Sequence, residues 1–306
     1  MGIKGHTKVP EYKIEESDLI KNDKCGFCDS TEFIRLQQFF QNPDIHFVKC
    51  KNCGAITYDK TFSQAALDKL YSNYEYYSED DAQSITFYGS ERFAKHISKY
   101  IDFANKGKVK ILDFGGGDGA LAYFTALQLK RKNPQLSVEI LVVDYCESLY
   151  KTDTSDGISM RHEFPLSKVE EEFDLIIASA IIEHLPKPAE EVKQLFTLLT
   201  GGGYIYFRTP YAYPLWRDMK RFGITYDTLY PQHIWDLGGK WYDGLVSYVK
   251  YEKEDIHLIL SKPSIVQESF KINFWLALVS YVLKAPWYIC HKWPYTGGWE
   301  AIYKKD

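Results

Sequence analysis

The stretch that most limits how this chain can fold is 110–120, Lys-Ile-Leu-Asp-Phe-Gly-Gly-Gly-Asp-Gly-Ala. Val109, Ile111 and Leu112 make a short apolar run that suits a buried parallel strand. Four glycines then crowd 115–119, and helical periodicity begins at Ala120. Glycines at such a turn let the backbone take positive φ and bring its N–H groups up to a ligand at the helix N-terminus. So many glycines cost backbone entropy without packing anything, so a bound cofactor is expected here rather than a bare turn.

Two cofactors fit the spacing. Gly115-x-Gly117-x-x-Ala120 matches the dinucleotide fingerprint in its Gly/Ala form, with Asp144 downstream as the ribose-binding acid. Asp113 argues otherwise, because a carboxylate beside a pyrophosphate sets negative charge against negative charge, whereas it suits a cofactor carrying an ammonium and a sulfonium. Leu112 through Gly119 resembles motif I of the class I S-adenosylmethionine-dependent methyltransferases, Leu-Asp-x-Gly-x-Gly-x-Gly, at every fixed position. The resemblance implies a Rossmann-like seven-stranded α/β sheet. It also implies an S-adenosylmethionine site built from Asp113, Gly115, Gly117, Gly119 and Ser179, with Asp144 gripping the ribose hydroxyls. The matching acid on the adenine side would be Glu163, at an irregular spacing.

Cys25-Gly-Phe-Cys28 and Cys50-Lys-Asn-Cys53 are two knuckles separated by 21 residues. Each presents two thiolates from one turn, and together they complete a closed four-sulfur shell for structural zinc. Redox dithiols are the alternative, but neither pair sits in a βαβ context. Strands at 31–40 and 44–49 would make a ribbon too small to fold without the metal. Cys146 and Cys290 are expected as buried small hydrophobes. A helix over 63–71 and the segment 72–78 follow. This order resembles methyltransferases with an N-terminal zinc ribbon, some of which act on nucleotide-linked deoxysugars. That implies a lid over cofactor and acceptor drawn from Tyr74, Tyr76, Tyr77 and Tyr88. The domain reading is a zinc-ribbon module at 1–62, a helical lid or linker at 63–106 that includes a helix over 91–104, and a methyltransferase domain at 107–306.

A second landmark lies at 173–186, where an apolar strand opens onto Ser179-Ala180 and Glu183-His184 follow. Ligands of open parallel sheets bind outside the carboxyl ends of the strands, where the glycine loop also lies. The segment is similar to the Glu-His of quinone-type and sugar-type methyltransferases. His184 is a candidate base because imidazole titrates near neutrality, and Glu183 would orient a base or bind the acceptor. Helices are expected after Pro188 and over 240–249. Between them, a long loop from Arg208 carries Tyr211, Tyr213, Trp216, Tyr226, Tyr230 and Trp235. The resemblance has a Pro-x-His bordering the acceptor at this point, which Pro231-Gln232-His233 matches, and it implies His233 as a second base candidate.

Charge bears on partners. With 37 basic and 41 acidic residues the net charge is −4, which gives no support for nonspecific nucleic-acid binding. Residues 272–290 are strongly apolar but broken by Lys284 and Pro286. They are expected to form a packed helical insert or an interfacial helix touching a membrane, not a span. A lysine-bearing N-terminus without an apolar run predicts a cytoplasmic protein. The function expected is methyl transfer to a sugar acceptor, a nucleotide sugar or glycan. O-methylation is slightly favoured, because the chain ends where longer sugar C-methyltransferases continue. The alternatives are an RNA methyltransferase with a zinc ribbon and a noncatalytic zinc-ribbon binding protein.

Overall fold

The computed structural model describes residues 14–72, 89–145, 154–155, 157–224, 230–253, 255–266, 270–271 and 273–306. Strands β1 (Leu19–Lys21) and β5 (Lys60–Phe62) pair antiparallel. Strands β2 (Phe33–Phe40), β3 (Ile45–Cys50) and β4 (Ile56–Tyr58) form a three-stranded antiparallel ribbon. Helix α1 (Gln64–Ser72) follows, and then α2 (Ser90–Ile97). The expected helix over 91–104 therefore stops early. Ile101 and Phe103 are buried in the non-helical chain that leads to β6.

The main sheet is built on β6 (Lys108–Phe114), with β7 (Ser137–Val143) and β9 (Ile158–Glu163) on one side and β10 (Phe173–Ser179) and β11 (Leu199–Tyr211) on the other, all parallel. A two-residue strand, β8 (Thr154–Ser155), edges β9. At the far edge β12 (Ile256–Pro263) pairs antiparallel with β13 (Gly297–Lys305), which lies between it and β11. The order β12-β13-β11-β10-β6-β7-β9-β8 places the topological switch between β6 and β10. Helix α3 (Ala120–Lys132) leaves the glycine loop, and its last turn ends in Lys130, Arg131 and Lys132, cations that complement the dipole. Helix α4 (Pro188–Thr197) opens with proline in its first turn and acids at Glu190 and Glu191.

Side chains alternate across the sheet. Val109 and Ile111 enter a layer with Phe93, Leu121 and Val138, whereas Leu112 and Phe114 enter the opposite layer with Ile176, Val192 and Phe196. That second layer also contains Cys25, Phe27, Cys28, Cys50 and Cys53, so the cysteine module and the sheet share one core. Glu300 on β13 is fully buried. It accepts a hydrogen bond from the Tyr206 hydroxyl (3.0 Å) and faces His96 Nε2 at 2.7 Å and Lys262 Nζ at 3.7 Å.

Three other expectations change. The ring-rich segment after Arg208 contains helix α5 (Tyr213–Arg221), and Tyr213 and Trp216 pack against Phe47 and Tyr58 of the ribbon rather than forming an open aromatic loop. The helix over 240–249 is two short ones, α6 (Gly239–Asp243) and α7 (Leu245–Tyr248), interrupted at Gly244. Helix α8 (Phe274–Lys284) is capped by Asn273, whose side chain accepts from the Leu276 N–H at 3.1 Å. Ala277 is its buried residue, whereas Phe274, Trp275, Val279, Tyr281 and Val282 are exposed. Cys290 is exposed rather than buried, and Cys146 lies outside the described residues. Among the described residues, no helix is long and apolar enough to cross a membrane.

Candidate functional site

The glycine loop needs its glycines for two separate reasons. Gly115, Gly117 and Gly119 have φ of +70°, +58° and +76°, a region that costs an L-residue about 1–2 kcal/mol. Close approach adds to this: a Cβ at Gly116 would lie 2.4 Å from Asp113 Cγ, and one at Gly119 would lie 2.5 Å from Met160 Sδ. Asp113 ends β6 beneath the loop, 2% exposed, its Oδ2 accepting from the Ala122 N–H at 3.3 Å. Burial pushes its carboxyl up to about 7, with Asp144 and Asp118 adding to the rise and the Ala122 bond opposing it. Asp144 follows β7, and its Oδ2 accepts from the Gly117 N–H at 2.9 Å. Ser179 ends β10, and its hydroxyl accepts from Arg208 Nη1 at 3.3 Å. The expected cofactor residues thus gather at the carboxyl ends of β6, β7 and β10. Glu163 ends β9 beside Arg161, 3.3 Å from its Nη1.

Next to this mouth, Ala180 takes a left-handed φ of +59° and a single 3-10 turn (Ile182–His184) carries the Glu-His pair. The segment 230–236 closes over it: the N–H groups of Ile234 and Trp235 donate to the Glu183 carbonyl at 2.7 and 3.1 Å. That apposition brings His233 to His184, their rings edge to face with centroids 4.6 Å apart. Glu183, His184 and His233 present ligand-capable atoms that all lie within 4.8 Å of one another. Burial pushes the Glu183 carboxyl up to about 8, against the pull of the Arg208 guanidinium. It pushes His184 down to about 4, opposed by a backbone hydrogen bond at Gln232, and lowers His233 strongly with His184 as the second cause. Burial thus disfavours the charged form of each member of the trio, and both Glu183 side-chain oxygens lack a hydrogen-bond partner among the described residues. Such a group suits either proton exchange with a ligand hydroxyl or a cation.

The four cysteine Sγ atoms also lie within 4.8 Å of one another, with Cys25–Cys53 and Cys28–Cys50 each at 3.6 Å. Bonds of about 2.3 Å to one tetrahedral ion imply edges of about 3.8 Å, so the set fits zinc. A disulfide needs about 2.05 Å. The lid residues Tyr74, Tyr76, Tyr77 and Tyr88, and Tyr226, lie outside the described residues.

Sequence reasoning missed three contributors. Arg208 sits beneath Ser179, within electrostatic reach of Glu183. Asp236, raised to about 7 by burial, accepts from the N–H groups of Ala212 (3.0 Å) and Tyr213 (2.5 Å). Phe27 packs on Trp235 and Trp241, with ring centroids 4.8 and 4.6 Å apart. Only Asp236 had a local signal, as an acid that ends the Pro-Gln-His-Ile-Trp stretch.

The chain is 31% identical over 113 residues to a ubiquinone biosynthesis O-methyltransferase of Paraburkholderia phytofirmans, covering 36% of this chain and 49% of the relative. It is 32% identical over 101 residues to the Burkholderia multivorans protein of the same name, covering 33% and 44%. The chain thus spans about half the length of the curated relatives it matches. A structure of the plantazolicin methyltransferase BpumL in complex with SAH aligns over 80% of this chain and 91% of that one at 18% identity, with a TM-score of 0.45. The model of the methyltransferase domain matches residues 86–242, a span that runs from before the glycine loop to beyond His233 and takes in just over half of the chain. The chain belongs to the methyltransferase domain family.

Proposed function

We propose that the chain transfers the methyl group of S-adenosylmethionine to an acceptor oxygen bound over Glu183, His184 and His233. The observation that carries the acceptor half is the fully buried Glu183 carboxyl, without a hydrogen-bond partner among the described residues and within 4.8 Å of two imidazoles. A sulfonium methyl is already activated, so the protein's work is to align the nucleophile and take its proton. His184 or His233 accepts that proton, and Glu183 orients the base or the acceptor. On the cofactor side, the loop of Gly115, Gly117 and Gly119 admits the ligand close to the backbone, Asp113 answers its ammonium charge, Asp144 holds the ribose and Ser179 lines the mouth.

An oxygen acceptor agrees with the relatives' names. A sugar or glycan hydroxyl remains our first acceptor class, although its support from stacking rings is weaker now that Tyr213, Trp216 and Trp235 are buried. In this reading 1–62 is a module holding structural zinc, 63–106 a lid or linker and 107–306 the catalytic domain of a cytoplasmic enzyme.

The test is incubation with methyl-labelled cofactor and a panel of nucleotide sugars, glycans, polyhydroxylated aromatic compounds and RNA. Glu183→Gln, His184→Gln and His233→Gln should each lower kcat by about 10²–10⁴-fold while cofactor affinity changes little. A protein that binds no cofactor sinks the reading, and label appearing only in RNA moves it to the RNA class.

The same three side chains favour a second reading, a divalent cation held by one carboxylate and two imidazoles with positions open to the acceptor. Titration with Mn²⁺ followed by electron paramagnetic resonance separates the two: tight binding lost in Glu183→Gln supports the cation, and unchanged free-ion signal supports the base.

A further inference from the structure

We infer that the first cysteine knuckle positions the acceptor-side trio, with Gly26 and Phe27 acting on Trp235 to hold 230–236 against Glu183. The inference rests on the reading of Glu183, His184 and His233 as the acceptor site. The cysteine module does not hang from the sheet by a linker. Its first knuckle is wedged between the two segments that carry those side chains. On one side, the Gly26 carbonyl accepts from the Ala189 N–H at 3.3 Å, at the start of the helix that follows His184. On the other, the Phe27 ring meets Trp235 edge to face.

Trp235 ties the two segments together. Its backbone N–H donates to the Glu183 carbonyl, and its indole N–H donates to the Leu185 carbonyl at 2.9 Å. Glycine at position 26 is needed for this fit, because a Cβ there would lie 2.8 Å from Trp235 Cζ2, 3.1 Å from Pro188 Cδ and 3.3 Å from the Pro186 carbonyl. A second tie comes from β4 of the ribbon, where Ile56 and Asp236 exchange both backbone hydrogen bonds at 3.2 and 2.9 Å. Residue 233 lies immediately before these anchors, two positions ahead of Trp235.

A metal that closes the knuckles would fix Gly26 and Phe27, because they lie between two of its ligands. Emptying the shell frees the turn that presents them. The site then keeps every residue of the trio while losing the wall that sets their separation. Gly26 and Phe27 act on the trio through Trp235, Pro188 and Ala189, so they are positioning residues. Their loss should appear as loosened 230–236 backbone with the glycine loop untouched.

The experiment is amide hydrogen exchange by mass spectrometry on the full chain, with cofactor affinity measured in parallel by calorimetry. The wild type is compared with Gly26→Ala, which pushes on Trp235, with Phe27→Ala, which removes the contact, and with Phe27→Leu, which keeps much of the apolar volume. In Gly26→Ala and Phe27→Ala, exchange in the peptide carrying Ile234 and Trp235 should rise at least tenfold. Exchange in β6 and the cofactor Kd should stay within about twofold, and Phe27→Leu should recover most of the protection. A metal-stripped sample, which also frees the β4 tie to Asp236, should exchange at least as fast as Phe27→Ala in the same peptide.

Unchanged exchange at 230–236 in both Gly26→Ala and Phe27→Ala overturns the inference. So does a uniform rise that includes β6, which would make the knuckle a general stabiliser. These readouts need no acceptor. Failure of the His184 and His233 variants to affect methyl transfer would refute the catalytic reading while leaving the exchange result standing.

Discussion

Cofactor binding should carry the protonation state of Asp113. In the cofactor-free protein burial pushes this carboxyl up to about 7, so at pH 6 about nine molecules in ten hold a proton and at pH 8 about nine in ten are ionised. If the ionised carboxylate receives the cofactor's ammonium, the apparent Kd should be about tenfold higher at pH 6 than at pH 8, with about 0.9 proton released per molecule bound at pH 6. Calorimetry with S-adenosylhomocysteine at several pH values, repeated in buffers of different ionisation enthalpy, reads both quantities. Asp113→Asn should bind about 10–150-fold more weakly at pH 8, the worth of a charge-assisted hydrogen bond of about 1.5–3 kcal/mol, and its pH profile should be flat. The same group acts on stability with a defined sign. Between its ordinary value of 3.8 and about 7 the folded chain keeps a proton that the unfolded chain releases. Its contribution is therefore present at low pH and lost as pH rises through that window, by up to about 4 kcal/mol. A wild-type Kd that does not vary from pH 6 to 8, or a profile of equal slope in Asp113→Asn, refutes the reasoning.

Elemental analysis of purified protein should find one zinc per chain, and Cys25→Ser should lose it together with several kcal/mol of stability; metal-free protein of unchanged stability would contradict this. Gly119→Ala combines a left-handed φ with contacts of 2.5 Å to Met160 and 2.8 Å to Val142, so urea unfolding should show a loss of about 2–4 kcal/mol. Glu300→Ala leaves Tyr206 and His96 facing an empty site, and a loss of about 3 kcal/mol or more is expected in the same assay. The exposed face of α8, with Ile289 beyond it 93% exposed, predicts co-sedimentation with phosphatidylglycerol vesicles that Trp275→Ser with Ile289→Ser abolishes. Wild-type protein left in the supernatant would dismiss that contact.

What the sequence made legible was what short-range chemistry dictates. Glycines at 115–119 signalled left-handed backbone, and paired cysteines signalled a closed sulfur shell. Pro188 with Glu190 and Glu191 marked a helix start. The failures have one physical source, which is that periodicity and composition do not tell what an element packs against. Tyr213 and Trp216 looked like an open aromatic surface because the ribbon that buries them lies more than 150 residues earlier in the chain. Ile101 and Phe103 alternate, a period-2 signal that was overridden by the helical run before them. Gly244 divides what reads as one helix. The burial of Glu183 was out of reach for the same reason, since it depends on a segment about 50 residues downstream folding back onto its carbonyl.

The strand order at the far edge of the sheet has a consequence for how the molecule assembles. Strand β12 precedes β13 in the chain but lies outside it, so β12 finds no partner in the sheet until 297–305 have paired with β11. During synthesis, 256–263 leaves the ribosome with its ladder unmade and waits while about forty further residues, including the apolar stretch of α8, emerge. This long-range step should limit the folding rate and leave an interval in which exposed strand and apolar helix invite association. Refolding at rising protein concentration should therefore lose yield first through this edge, even where the glycine loop and the cysteine knuckles have already formed.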